Sequence, residues 1–300
     1  MSTFALAPDP DDPELTRKVE GCDHRGQAVA LSVVVERPLT LYLNGTEVVT
    51  LMTIGDHPEL LALGFLLNQN MLAGDDAVTA VDYDGELDVV VVRTRSESSY
   101  EQKLQRKIRT SGCAQGTIFG DIMERFDDIR LTTAEVRCSW LQSLFLQIGR
   151  QPSLYQKAGA IHGCVLCERD RPLVYMEDVG RHNAVDKIAG YMHRHGLGGR
   201  DKIFYTTGRL TSEMVIKTVQ MEIPILVSRS GFTAWGVDLA RRAGLTLIGR
   251  ARGQRFIVLS GGERLVYDID FAKTAVDDGL DPQEQGRSKR SGEKSTDSAP

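Results

Sequence analysis

Lys202-Ile-Phe-Tyr-Thr206, Ile225-Leu-Val-Ser228 and Leu245-Thr-Leu-Ile248 are three short apolar runs, with helical patterns over Ser212–Met221 and Thr233–Ala243 between them. Strands buried on both faces read as continuous apolar runs, and alternation with helices predicts parallel pairing. Working outward, the helical pattern Asn183–His195 precedes the first run. Strands near Ala160–Cys167 and Leu173–Glu177 come before it, and the helix Ala134–Ile148 before those. The fold class expected is α/β, a mixed sheet with flanking helices.

The first third differs. Leu39–Leu43, Asn44-Gly45 and Thr46–Thr53 read as a β-hairpin, because Asn-Gly favours a turn with positive φ. Asp56-His57-Pro58-Glu59 then reads as a helix start, with Asp56 as N-cap and Glu59 at the capping-box position. Leu60, Leu63, Leu67 and Met71 would give that helix one apolar face. Ala77–Val81 and Leu87–Val92 form a second hairpin across Asp84-Gly85. The organisation expected is an N-terminal tail over 1–25 and one domain over 26–271, with a C-terminal tail over 272–300. Within the domain, a β-rich part runs to about 110, a cysteine-bearing loop covers 110–120, and the α/β part covers 130–271.

The chain has 41% hydrophobic and 26% charged residues and a net charge of −5, which disfavours a general nucleic-acid binder. No apolar run is long enough to span a bilayer. Met1–Glu20 carries five acidic residues and three prolines, unlike a secretory signal. Five cysteines without regular spacing do not suggest a disulfide framework, so a reduced, cytoplasmic protein is expected.

Cys113 stands out among them. It lies in Thr110-Ser-Gly-Cys-Ala-Gln-Gly-Thr117, directly after Lys103, Arg106, Lys107 and Arg109. Cations favour the thiolate, and flanking glycines let a bulky partner approach the sulfur. Cys138 sits instead in an apolar context between Val136 and Trp140.

Three loops repeat one design. Asp178-Val-Gly-Arg-His-Asn183, Thr207-Gly-Arg-Leu-Thr-Ser212 and Ser228-Arg-Ser-Gly-Phe-Thr233 each leave a strand and open a helix. Loops at strand carboxyl ends line ligand crevices, helix N-termini offer amide donors to anions, and arginine binds phosphate bidentately. Arg181, Arg209 and Arg229 are therefore candidate ligands for one phosphorylated molecule. His182 and Asp186, spaced i and i+4, suit packing and capping as well as proton placement. Neither a P-loop nor a Gly-x-Gly-x-x-Gly motif occurs.

His162-Gly-Cys-Val-Leu-Cys167 resembles a metal or redox motif, but its residues read as a strand. Cys164 and Cys167 would then face opposite sides, and no metal is expected there. His162 could still line the crevice.

Asp178-Val-Gly-Arg-His-Asn-Ala-Val-Asp-Lys187, Thr207-Gly-Arg with Ser212-Glu-Met214, Ile223-Pro-Ile-Leu-Val-Ser-Arg-Ser230, and Gly244–Gly249 with Arg252 closely resemble the FdhD family, over about Ala30 to Asp268. These are accessory sulfurtransferases for formate dehydrogenase. The resemblance implies a cytidine-deaminase-like fold without the zinc site, and a homodimer. It implies that a cysteine desulfurase loads persulfide sulfur on the loop cysteine, matched here by Cys113. That sulfur then passes to the Mo-bis-guanine-dinucleotide (or tungsten) cofactor, with GDP as a ligand analogue. Many members carry Cys-x-x-Cys in the loop, whereas this chain has Gly116 at the second position. The family's cofactor-binding stretch matches Phe256, Ile257, Val258, Leu259, Ser260 and Gly261. Arg181, His182, Arg209, Ser228 and Arg229 are expected to share in cofactor binding. The competing expectations are a cofactor-binding chaperone without sulfur chemistry, and a deaminase-type hydrolase, which the missing metal ligands disfavour.

Overall fold

A computed structural model describes residues 4–72, 78–95, 107–109, 116–118, 123 and 126–270. Strands β1 (Thr16–Cys22) and β2 (Ala28–Val34) pair as an antiparallel hairpin. This revises the expected N-terminal tail, since β1 falls within 1–25, and Leu6 bridges to Val174. β1 reads Thr-Arg-Lys-Val-Glu-Gly-Cys, without apolar alternation, and it follows an acidic, proline-rich stretch. Most of β1 is exposed, so burial leaves little apolar signal there. The expected C-terminal tail, 272–300, lies outside the described residues.

A second unit contains β3 (Arg37–Leu43), β4 (Thr46–Thr53), α1 (Pro58–Asn68), β5 (Val78–Asp84) and β6 (Val89–Thr94). Its sheet order is β4-β3-β6-β5. Both expected hairpins form, and Asn44 adopts the positive φ of 54° that its turn requires. The helix start differs from expectation. His57 is the N-cap, in the left-handed region and without a side-chain cap bond, while the Asp56 carboxylate pairs with the Lys187 ammonium. A charge-assisted bond to a buried ammonium is stronger than a bond to a helix amide, so it takes the carboxylate. Nor does α1 have one apolar face. Leu60 through Leu66 are all buried, because the helix lies between its own sheet and the larger unit.

Next come β7 (Lys107–Arg109), β8 (Gly116–Ile118), β9 (Val136–Arg137), α2 (Cys138–Arg150), α3 (Leu154–Ala158), β10 (His162–Glu168) and β11 (Arg171–Asp178). They are followed by α4 (Arg181–Arg194), β12 (Lys202–Thr206), α5 (Ser212–Gln220), β13 (Ile225–Ser228), α6 (Ala234–Ala243), β14 (Thr246–Arg252), β15 (Arg255–Ser260) and β16 (Leu265–Val266). The main sheet has the order β11-β10-β12-β13-β14-β15. It is mixed, as expected: β12, β13 and β14 are parallel, and β10 is antiparallel to both of its neighbours. Every residue of β12 and β13 is buried, which explains their unbroken apolar reading. One face packs Leu166, Phe204, Leu226 and Leu247 under α4, α5 and α6. The other packs Val165, Tyr205, Val227 and Ile248 with Leu141 and Leu144 of α2.

The two units meet where α1 crosses α4. A Cβ at Gly64 would lie 1.7 Å from the Asp186 carbonyl oxygen, and one at Gly190 would lie 2.0 Å from the Leu60 carbonyl oxygen. Only glycine at both positions lets the two backbones come this close.

Candidate functional site

Strands β11, β12 and β13 run in one direction, so the three arginine loops emerge at one edge of the sheet. The antiparallel β10 begins at that same edge. It therefore places His162 opposite Asp178, with Gly163 bonded to Thr207 through N–H to Oγ1 at 2.9 Å.

Gly180 is the N-cap of α4 and Arg181 its first residue. The Asp178 carboxylate shapes this turn: Oδ1 accepts from Gly180 N at 3.0 Å and from Asn183 Nδ2 at 2.9 Å. Its Oδ2 accepts from Thr53 Oγ1 and from Lys187 Nζ, each at 2.5 Å. The Arg181 side chain is 11% exposed and lies 3.9 Å from Glu213 Oε2. Its Nε is buried without a hydrogen-bond partner among the described residues. A buried donor left unsatisfied costs about 1–3 kcal/mol, so this Nε has unused hydrogen-bonding capacity.

The second loop is tied to the first and third. Gly208 N donates to Thr206 Oγ1 at 3.0 Å, and a Cβ on Gly208 would lie 3.2 Å from Arg181 Cβ. Ser228 is fully buried, with its hydroxyl bonded to the Gly208 carbonyl and to Ser230 N. It therefore shapes two loops instead of lining the crevice as expected. Arg209 is exposed beside His162, while Arg229 turns toward the ring of Tyr155, 6.0 Å from its centroid. Arg181 and Arg209 thus share one electrostatic site with His162. Arg229 stands at the same sheet edge on the face that carries Tyr205.

Two imidazoles feel this site. Burial lowers the pKa of His162, and Arg181, Arg209 and His182 lower it further. Burial also lowers that of His182, outweighing Glu213, whose Oε2 lies 3.1 Å away but off the line of a good hydrogen bond. Both folded-state values lie below 6.5, so the fold favours the neutral forms. Above pH 6.5 they cost nothing. Below it the unfolded chain takes protons first, and stability should fall until the folded-state values are reached. Imidazole titration followed by NMR should give both midpoints below 6.5. His162→Gln should remove part of the stability lost between pH 7 and about pH 5.

Asp186 serves structure: it pairs with Lys217 at 2.8 and 2.7 Å and accepts from Asn68 Nδ2 at 2.7 Å. Cys164 and Cys167 lie on opposite faces of β10, as the strand reading requires. Burial pushes the Cys164 thiol up to about 12 and that of Cys167 higher still. Cys113 lies outside the described residues. The backbones flanking it, β7 and β8, pair antiparallel with Arg109 opposite Gly116, a pairing that the sequence did not signal.

Along β15, Phe256 and Ile257 lie toward the arginine edge, near the β14–β15 turn, whereas Ser260 pairs with Leu247 at the far edge. Gly261 has φ 74°, and a Cβ there would meet Thr246 Oγ1 at 2.7 Å. Its turn alone accounts for the glycine. The expected cofactor stretch therefore extends across the sheet, and its two ends do not meet at one point.

The network the sequence reading missed is Asp56–Lys187–Asp178–Thr53. Lys187 and Asp178 lie in the quoted stretch Asp178–Lys187, yet nothing in their spacing marks a buried ion pair whose partner precedes α1.

The FdhD/NarQ family model matches residues 34–266. The chain belongs to the FdhD/NarQ family. Among its relatives is the sulfur carrier protein FdhD of Bacillus subtilis, 29% identical over 236 residues, covering 78% of this chain and 90% of that protein. The protein of the same name from Bacillus pumilus is 27% identical over 235 residues, with the same coverage. A crystal structure of a candidate formate dehydrogenase accessory protein from Desulfotalea psychrophila superposes with a TM-score of 0.68 at 26% identity. That match covers 84% of this chain and 98% of the other. The family region begins at Val34, the last residue of β2, and includes Cys113 and all three arginine loops. No helix among the described residues is long and apolar enough to cross a membrane.

Proposed function

We propose that this protein is a sulfurtransferase of the persulfide-carrier type. It receives sulfur from a cysteine desulfurase on Cys113 and passes it to the Mo-bis(molybdopterin guanine dinucleotide) cofactor required by formate dehydrogenase. The observation that carries this reading is a lone cysteine between two paired strands, one of them basic, in a chain whose relatives are named sulfur carriers. The Cys113 thiolate attacks the outer sulfur of the donor's persulfide. The donor's sulfur–sulfur bond breaks, its cysteine leaves as a thiolate, and electrons balance without an added oxidant. With Gly116 where a second thiol could stand, Cys113 works alone.

The cofactor is the substrate. Arg181, Arg209 and the amides at the N-terminus of α4 suit its phosphates, and Phe256 to Gly261 supply further surface. The reading carries with it a homodimer and a deaminase-like sheet arrangement without zinc, working in the cytoplasm. Incubation with a desulfurase and cysteine should add one sulfur to the tryptic peptide Thr110–Arg125. Sulfur on another peptide overturns the assignment. No sulfur at all, with GDP still bound, leaves a cofactor-binding chaperone.

The arginine site is tested separately. Arg209→Ala should weaken GDP binding by about 1.5–3 kcal/mol, the worth of a charge-assisted bond. GDP should also raise the His162 midpoint, because its phosphates oppose the field of the arginines. Calorimetry showing equal affinity for wild type and variant rejects Arg209 as a ligand.

A further inference from the structure

A groove of about 900 Å³ runs along β15, the edge strand of the main sheet, lined by Arg250, Arg255, Phe256, Ile257 and Tyr267 among others. Among the described residues that line it there is no carboxylate. Ile257 is 43% and Tyr267 67% exposed, so the groove combines basic side chains with open apolar surface. The Arg250 guanidinium lies 5.7 Å from the ring centre of Phe232, which fixes it at the groove's end.

We propose that this groove is the docking surface for an acidic segment of the same chain, Asp277-Asp-Gly-Leu-Asp-Pro-Gln-Glu284. Three facts select this occupant. The segment carries four carboxylates and no cation, beside Val276 and Leu280, so it complements the groove in both charge and apolar character. The described chain ends at Asp270, three residues after Tyr267 in the groove wall, and Asp277 follows within a reach of roughly 23 Å of extended backbone. Past Glu284 the sign reverses at Arg287, Lys289 and Arg290, which sets the C-terminal limit of the docked stretch. The inference does not rest on the sulfur-carrier reading, and its test measures neither sulfur nor cofactor.

The test is photocross-linking of the full chain carrying p-benzoylphenylalanine at Ile257, an exposed position far in sequence from the segment. Irradiation should yield a product of monomer mass in which the tryptic peptide Thr274–Arg287 is joined to the peptide containing position 257. The same probe at Gln254 gives a second measurement should the first variant fold poorly. Asp277→Asn, Asp278→Asn, Asp281→Asn and Glu284→Gln together should cut the yield about fivefold, as for a few surface ion pairs. High salt should act in the same direction. A dimer-mass product joining two copies makes the groove a subunit interface and overturns the proposal. So does cross-linking elsewhere, no product from either position, or a yield indifferent to the four substitutions.

Discussion

Cys113→Ala should yield a folded protein that still binds GDP and no longer supports formate dehydrogenase activity. The loss should be close to complete, because no other thiol is suited to the step. Cys138, Cys164 and Cys167 are buried. Burial holds the Cys164 thiol far above neutral pH, and a persulfide forms only from a thiolate. Burial and Asp268 also raise the Cys138 thiol, and burial alone raises Cys167 beyond Cys164. Cys22 is exposed, but it ends β1, ahead of the family region. Each of these four, changed singly, should leave maturation working. The measurement is formate dehydrogenase activity in cells carrying each variant as their only copy, with GDP binding as the check on folding. Full activity with Cys113→Ala moves the sulfur step to another residue.

How much of this was legible in the sequence depends on where the determining forces act. Strands β12 and β13 could be bounded to the residue, because burial on both faces makes the whole strand apolar. The arginine loops were legible because each follows a strand and opens a helix. What remained hidden was set at long range. Asp56 looks like an N-cap on any local rule, yet its carboxylate is taken by an ammonium 131 positions away. Ser228 looks like a ligand in a loop, yet the neighbouring loop claims its hydroxyl. Arg229 matches Arg181 and Arg209 in local pattern, but strand alternation directs it to the Tyr205 face. Gly64 and Gly190 gave no signal, since a close helix crossing leaves no mark in either helix alone.

Lys187→Met should be strongly destabilising. Lys187 is fully buried, and its ammonium pairs with Asp56 and Asp178 and donates to the Glu177 carbonyl at 3.0 Å. Burial alone would pull its pKa down, but the two carboxylates outweigh that and hold it above 10.5. While Asp56 and Asp178 are ionised, the ammonium's contribution is therefore present below that value and is lost as pH rises through the folded-state pKa. Methionine keeps much of the volume and removes the charge, leaving the fully buried Asp178 carboxylate and the partly buried Asp56 carboxylate without their cation. Breaking a buried pair in this way costs about 3–5 kcal/mol, a large share of the 5–15 kcal/mol that holds a typical domain folded. Asp178 also orients Gly180 and Asn183, so the Arg181 turn should loosen and GDP affinity should fall along with stability. Urea denaturation gives the first quantity and calorimetry the second. Asp178→Asn in the Lys187→Met background removes the orphaned charge while keeping an acceptor for Gly180 N, and it should recover part of both losses. A single variant costing less than about 1 kcal/mol, or a double variant no better than the single, would show that Lys187 does not hold the two units and the arginine turn together.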